Sequence, residues 1–253
     1  MVVIKVKKPK AVLFDISGTV ARESFVEKIL IPYFKIAHRV YMENTWQKPE
    51  CQECIKQLAE MAQKDVNAPK INLACCDDKK TMIDQVCQCI DYCLVNNKEG
   101  KAFANFRFKV WFDGYERQKL TTPVYSDVAV TIQRWKCNQN VKLYVLSNGW
   151  TEASKRFMSK TSHGDLNLVI DDHFDTSMGS LLDPQTFQKV AQIIRQRPED
   201  VIFLTKSPEE AIAARKAGLN VVLVLTHGAA VDAALELVQD IPIVRTFTEI
   251  EFI

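Results

Sequence analysis

The sequence predicts an α/β fold, a doubly wound parallel sheet interrupted by one inserted all-helical domain. Two observations carry the sheet and one carries the insertion. Short, almost wholly apolar runs recur at AVLF (11–14), VKLYVL (141–146), VIFL (201–204) and VVLVL (221–225). Segments with apolar residues at helical spacing separate them, which is how strands buried on both faces of a parallel sheet read in sequence. From SFVEKILIPYFKIAHRVYM (24–42) to KAFANFRFKVWFDGY (101–115) the period is helical throughout, with no buried strand. So long a stretch after the first strand reads as a domain and not as a linker.

Each element has its own signal. The amino-terminal Lys5, Lys7, Lys8 and Lys10 read as a solvated edge ahead of the first strand. DVAVTIQRW (127–135) is a helix leading into the second strand. PQTFQKVAQIIRQ (184–196) leads into the third, with Asp183 as N-cap and Pro184 at the first helical position. After VIFL, Ser207 and Glu210 have capping-box spacing, Pro208 opens the helix and Gly218 closes it. The alternation of strand and helix continues to about Leu237, and a short apolar run at 241–244 reads as a last edge strand. The expected division is a core domain of residues 1–22 plus 123–253, and a helical domain of 23–122.

Composition narrows the function classes. With 253 residues, 47% of them hydrophobic and 25% charged, the chain is an ordinary globular protein long enough for a full core. A net charge of +2 supplies no field for nucleic acid or an anionic membrane, so neither is expected as a partner. Lysines interrupt the apolar start MVVIKVKKPK earlier than a secretory leader allows, and no later run approaches the ~18 residues of a membrane span. A cytoplasmic or nuclear compartment follows as the expectation. Seven of the eight cysteines fall between Cys51 and Cys93, namely Cys51, Cys54, Cys75, Cys76, Cys87, Cys89 and Cys93. CQEC and CQCIDYC do not make a regular pair of zinc knuckles, so small buried thiols are expected.

Parallel sheets bind ligands at the carboxyl ends of their strands. Asp15 follows AVLF; Ser147, Asn148 and Gly149 follow VKLYVL; Thr205 and Lys206 follow VIFL. Together with SFVEKILIPYF, VYSDV (124–128), SNG followed by EASKRF, DDHFDT (171–176) and VIFLT followed by EEAIAA, the stretch FDISGT (14–19) resembles the haloacid-dehalogenase (HAD) superfamily. More narrowly, the chain is similar to enolase-phosphatases of methionine salvage. That resemblance implies a HAD-like Rossmannoid core, a helical cap and a Mg²⁺-dependent phosphatase working through an aspartyl-phosphate.

Carried over residue by residue, the resemblance puts Asp15 at the nucleophile position and Ser147 at the phosphate hydroxyl, beside Asn148. The acid/base carboxylate falls on Ser17, the phosphate-binding lysine on Leu181, and the metal-ligand Asp on Lys206. A hydroxyl cannot replace a carboxylate as general acid/base, a role worth roughly 10²- to 10⁴-fold. A leucine makes no charge contact to a transferring phosphoryl group, and an ammonium repels the cation it should help to bind. No metal is therefore expected, and an Asp15–Lys206 ion pair is expected in its place.

Other readings stay open. Ser147 and Asn148 could cap the helix near Thr151, and Glu210 could be an acid set behind the site, though its capping-box position explains it. Lys155 or Lys160 could stand in for the missing lysine. His163 and His227 lack a second histidine at ligand spacing. Two function classes remain: a pseudoenzyme kept as a binding or regulatory module, monomeric or a small oligomer, meeting a protein partner through cap or core; or an active enolase-phosphatase, with Mg²⁺ held by Asp171, Asp172 or Asp175. Three departures at once favour the first.

Overall fold

A computed structural model describes residues 3–75, 78–225, 231, 234, 237, 238 and 240–253. Cys76, His227, the Cys75 side chain and most of 226–239 lie outside the described residues. The chain folds as two compact units, Met1–Phe25 with Thr121–Ile253, and Val26–Leu120. Among the described residues no helix is long and apolar enough to cross a membrane.

The first unit is built on a parallel sheet. Strands β1 (Ile4–Val6), β2 (Ala11–Phe14), β3 (Lys142–Leu146), β4 (Asp172–Phe174), β5 (Val201–Thr205), β6 (Asn220–Val224), β7 (Ile243–Val244) and β8 (Ile250–Phe252) occur in chain order. Six of them form one sheet in the order β4-β3-β2-β5-β6-β7, every pairing parallel. The chain winds outward from β2 through β3 to β4, then crosses back to β5. The crevice between the ends of β2 and β5 is thus the topological switch point, where open α/β sheets take their ligands.

Alternation sorts the strand residues between two cores. Val12 and Phe14, Leu143 and Val145, Ile202 and Leu204 face one buried cluster, with Val128, Ile132 and Trp135 of α5 (Ser126–Cys137). Leu13, Leu146 and Phe203 face the other, with Phe187 and Val190 of α7 (Pro184–Ile193) and Ala211 and Ala214 of α8 (Pro208–Lys216). Helices therefore cover both faces, and this is the reason the strands read as continuous apolar runs. Asp183 caps α7 by accepting from Gln185 N at 2.9 Å, and Ser207 caps α8 by accepting from Glu210 N at 3.2 Å.

Three strands lie outside the predicted runs. β4 is only three residues long and carries Asp172 and His173, too polar and short to register as buried strand. β1 and β8 form a separate two-stranded parallel ribbon, Ile4 opposite Ile250 and Val6 opposite Phe252. Lys5 lies within this ribbon, and Lys10 pairs with Asp200 at 2.9 Å. The ribbon is joined to the core by Trp135, whose ring stacks on Phe247 and Phe252 at centroid distances of 5.7 and 4.9 Å.

The second unit consists of α1 (Ile31–Thr45), α2 (Pro49–Lys64), α3 (Lys79–Val95) and α4 (Lys101–Glu116). Phe34 anchors it, meeting Phe103 and Phe106 edge-on at 5.7 and 6.0 Å. A π-helical turn, Val26–Leu30, leads into α1, and the Leu30 carbonyl accepts the indole N–H of Trp111 at 2.7 Å. Gly114 lets α4 approach α1: a β-carbon there would lie 2.7 Å from the Tyr33 ring. Cys51, Cys54, Cys87, Cys89 and Cys93 are buried on α2 and α3. Burial pushes the Cys54 and Cys87 thiols up to about 11, away from the thiolate form that reacts or binds metal.

The Trp135 stack gives the first prediction. Trp135→Ala should lower unfolding stability by about 3–5 kcal/mol, because it empties a fully buried aromatic site. Urea denaturation measures this, and a loss under 1 kcal/mol would show that the stack does not hold the ribbon to the sheet.

Candidate active site

Asp15 stands at the carboxyl end of β2, its N–H donating to Leu204 O at 3.1 Å, and is only 7% exposed. A tight turn follows: Val20 N and Ala21 N both donate to Ile16 O, at 3.0 and 2.9 Å, and Gly18 N donates to Ala21 O at 2.7 Å. Gly18 needs to be glycine twice over. Its φ is +78°, and a β-carbon would fall 2.5 Å from Cδ of Lys206. Ser17 is exposed on this turn.

The end of β3 supplies Ser147 and Asn148. The Ser147 hydroxyl accepts the Gly149 N–H at 3.1 Å, and Ser147 N donates to Phe174 O at 3.1 Å. Neither residue caps α6 (Thr151–Ser159). Asp175 does so, accepting from Thr151 N and Thr151 Oγ1 at 2.7 and 2.5 Å. Burial pushes its carboxyl up, but hydrogen bonds from Ser177, whose N–H donates at 2.8 Å, and from Thr151 hold it down at about 2. Asn148 Nδ2 instead donates to Glu210 Oε1 at 3.0 Å.

Glu210 is more than a cap residue. Its N–H takes the Ser207 cap, but its side chain turns inward, where Thr205 Oγ1 donates to Oε2 at 2.8 Å. The Ser207 N–H goes to Thr205 Oγ1 at 3.1 Å, so no reciprocal capping box forms. Sequence spacing assigned Glu210 to the helix start, whereas the fold buries its carboxylate beside Asp15.

Lys206 does not pair with Asp15, contrary to the expectation from sequence. Its stem crosses Gly18, and its ammonium donates to Glu23 Oε1 in a close ion pair. The cause is solvation: Glu23 is well exposed and keeps its charge cheaply, while Asp15 is enclosed. Glu23 was invisible to sequence reading, since 183 positions separate it from Lys206 and no motif links them.

The remaining candidates disperse. Leu181 is 2% exposed and sits in the buried cluster with Phe174 and Phe187. Asp171 lies at the amino end of the sheet, bound by Lys136 and Lys142 at 2.5 and 3.0 Å. Asp172 meets Lys155 at 3.4 Å on the surface. Neither Asp171 nor Asp172 is at the carboxyl ends of the strands, and Asp175 is committed to its cap. Lys160 is exposed, and the His163 ring lies 3.2 Å from Val124 O.

Burial pushes Asp15 up to about 7, and the nearby Glu210 carboxylate adds to the rise. Backbone N–H groups of Ile16 and Ser17 and the charge of Lys206 oppose it. A divalent cation does not fit this set. The Glu210 oxygens already accept two hydrogen bonds, an ammonium stands among the carboxylates, and among the described residues no three His, Cys, Asp or Glu side chains converge. Because the folded state holds its Asp15 proton more tightly than the unfolded chain, this group destabilises the fold as pH rises from about 4 to about 7. Asp15→Asn should therefore raise the melting temperature at pH 8, with the gain vanishing near pH 4. A gain of equal size at both values would contradict the raised pKa.

Known proteins resemble this chain over most of its length. The haloacid dehalogenase-like hydrolase family model matches residues 9–218. Enolase-phosphatase E1 of Xenopus tropicalis is 32% identical over 221 residues, covering 86% of this chain and 85% of the relative. The Naegleria gruberi protein of the same name is 32% identical over 233 residues, covering 89% of each. Among solved structures, the UTR4 protein of Saccharomyces cerevisiae superposes with a TM-score of 0.71 at 22% identity, over 94% of this chain and 98% of that one. With its parallel sheet, its Asp15 turn and this match over most of its length, the chain belongs to the haloacid dehalogenase-like hydrolase family and is enolase-phosphatase-like within it.

Proposed function

We propose that this chain is a catalytically silent enolase-phosphatase relative, a HAD fold kept as a binding or regulatory module. The observation that carries the reading is the placement of Lys206. Its ammonium stands over the Asp15 turn, tied to Glu23, where phosphoryl transfer from a substrate to a carboxylate needs a metal. Three further features support it. Asp15 is partly protonated at neutral pH and so a weaker nucleophile; Ser17 offers no carboxylate; and Leu181 brings no charge, being packed in the core. On this reading the chain needs no metal or other cofactor, acts in the cytoplasm or nucleus, and meets a protein partner through either unit.

The second reading is an active Mg²⁺-dependent phosphatase using Asp15. It is favoured by the names of the relatives and by Asp15 and Ser147 standing on neighbouring strands, β2 and β3. Phosphate release decides between them. An aryl phosphate and an acyl-reductone-type phosphate, each with Mg²⁺, should be hydrolysed no faster by the wild type than by Asp15→Ala. A rate about tenfold or more above that control would end the silent reading.

A further inference from the structure

We infer that Lys206 is a built-in cation that takes the place of a divalent ion over the Asp15 pocket, with Glu23 as its tether, and that this one side chain closes the pocket to such ions. The inference deepens the silent reading and rests on it.

Two buried carboxylates, Asp15 and Glu210, act on each other at the ends of β2 and α8. Such a pair is held in a fold by a proton, a metal or a fixed positive charge. Among the described residues, the side-chain donors to Glu210 are the neutral Thr205 and Asn148, which bring it no compensating charge. The charge of Lys206 acts on Asp15 in the opposite sense to that of Glu210, lowering its proton affinity.

The lysine stem lies against this loop. A β-carbon at position 18 would lie 2.5, 3.2 and 3.4 Å from its Cδ, Cε and Nζ, so the stem lies in the space that glycine leaves. With a positive φ as well, Gly18 leaves room for the stem where a side chain at position 18 would be strained and would force the lysine to shift. Glu23, on the same turn-bearing segment, then holds the ammonium. A hydrated divalent ion approaching Asp15 meets a like charge that is anchored at both ends.

Mn²⁺ binding followed by electron paramagnetic resonance on the full chain tests this. Wild type should show no saturable binding through the low millimolar range. Lys206→Asp should bind about tenfold or more tightly than wild type, and the gain should disappear in Lys206→Asp with Asp15→Asn. Lys206→Asn, which adds no charge, is measured beside it and should fall between the two. Saturable binding by wild type that Asp15→Asn abolishes would overturn the inference. So would the absence of any gain in both Lys206 variants when circular dichroism shows them folded. For the tether, Glu23→Gln should raise acetylation of Lys206 by acetic anhydride severalfold, read by peptide mass spectrometry, and an unchanged rate would remove Glu23 from the scheme. Metal binding without turnover would overturn this inference and leave the silent reading standing, while metal-independent phosphate release would do the reverse.

Discussion

The position of one short strand governs the rest of the site. β2 is hydrogen-bonded to β3 on one side and β5 on the other, and all four of its residues are fully buried. In that position its carboxyl end opens at the switch point, flanked by Ser147 and by Thr205–Lys206. Any acid placed there loses water on every side. The raised proton affinity of Asp15 follows from that enclosure before any neighbouring charge is considered.

An enclosed carboxylate needs compensation, and the fold provides it in parts. Backbone N–H groups of Ile16 and Ser17 address Asp15 directly, while Thr205 and Asn148 satisfy Glu210. Lys206 contributes charge from a distance because its ammonium has a better-solvated partner in Glu23. An exposed pair of this kind contributes about 0.2–1 kcal/mol, so its role is to place a charge more than to stabilise the fold.

Much of the fold was legible from residue order. Runs such as VIFL sit on both faces of the sheet, and their period and flanking caps appear in sequence because burial on both sides demands apolar residues throughout. The three-residue strands were not legible. β4 carries polar residues at a sheet edge, and β1 with β8 brings together segments from opposite ends of the chain. At the site, Asp15, Ser147 and Lys206 could be picked out as the residues that follow apolar runs. Glu210 was misassigned, because capping spacing describes the backbone of a helix start and says nothing of where the side chain turns.

By itself the sequence determined the sheet, the helical insertion and the polar residues at the strand ends. Tertiary structure alone decided which groups meet. It turned Leu181 into the core, committed Asp175 to capping α6, and paired Lys206 with Glu23 in preference to Asp15. The physical reason is that strand periodicity and capping are local, recorded within a few residues. Desolvation and ion pairing depend on what surrounds a group in space, which here joins residues 183 positions apart.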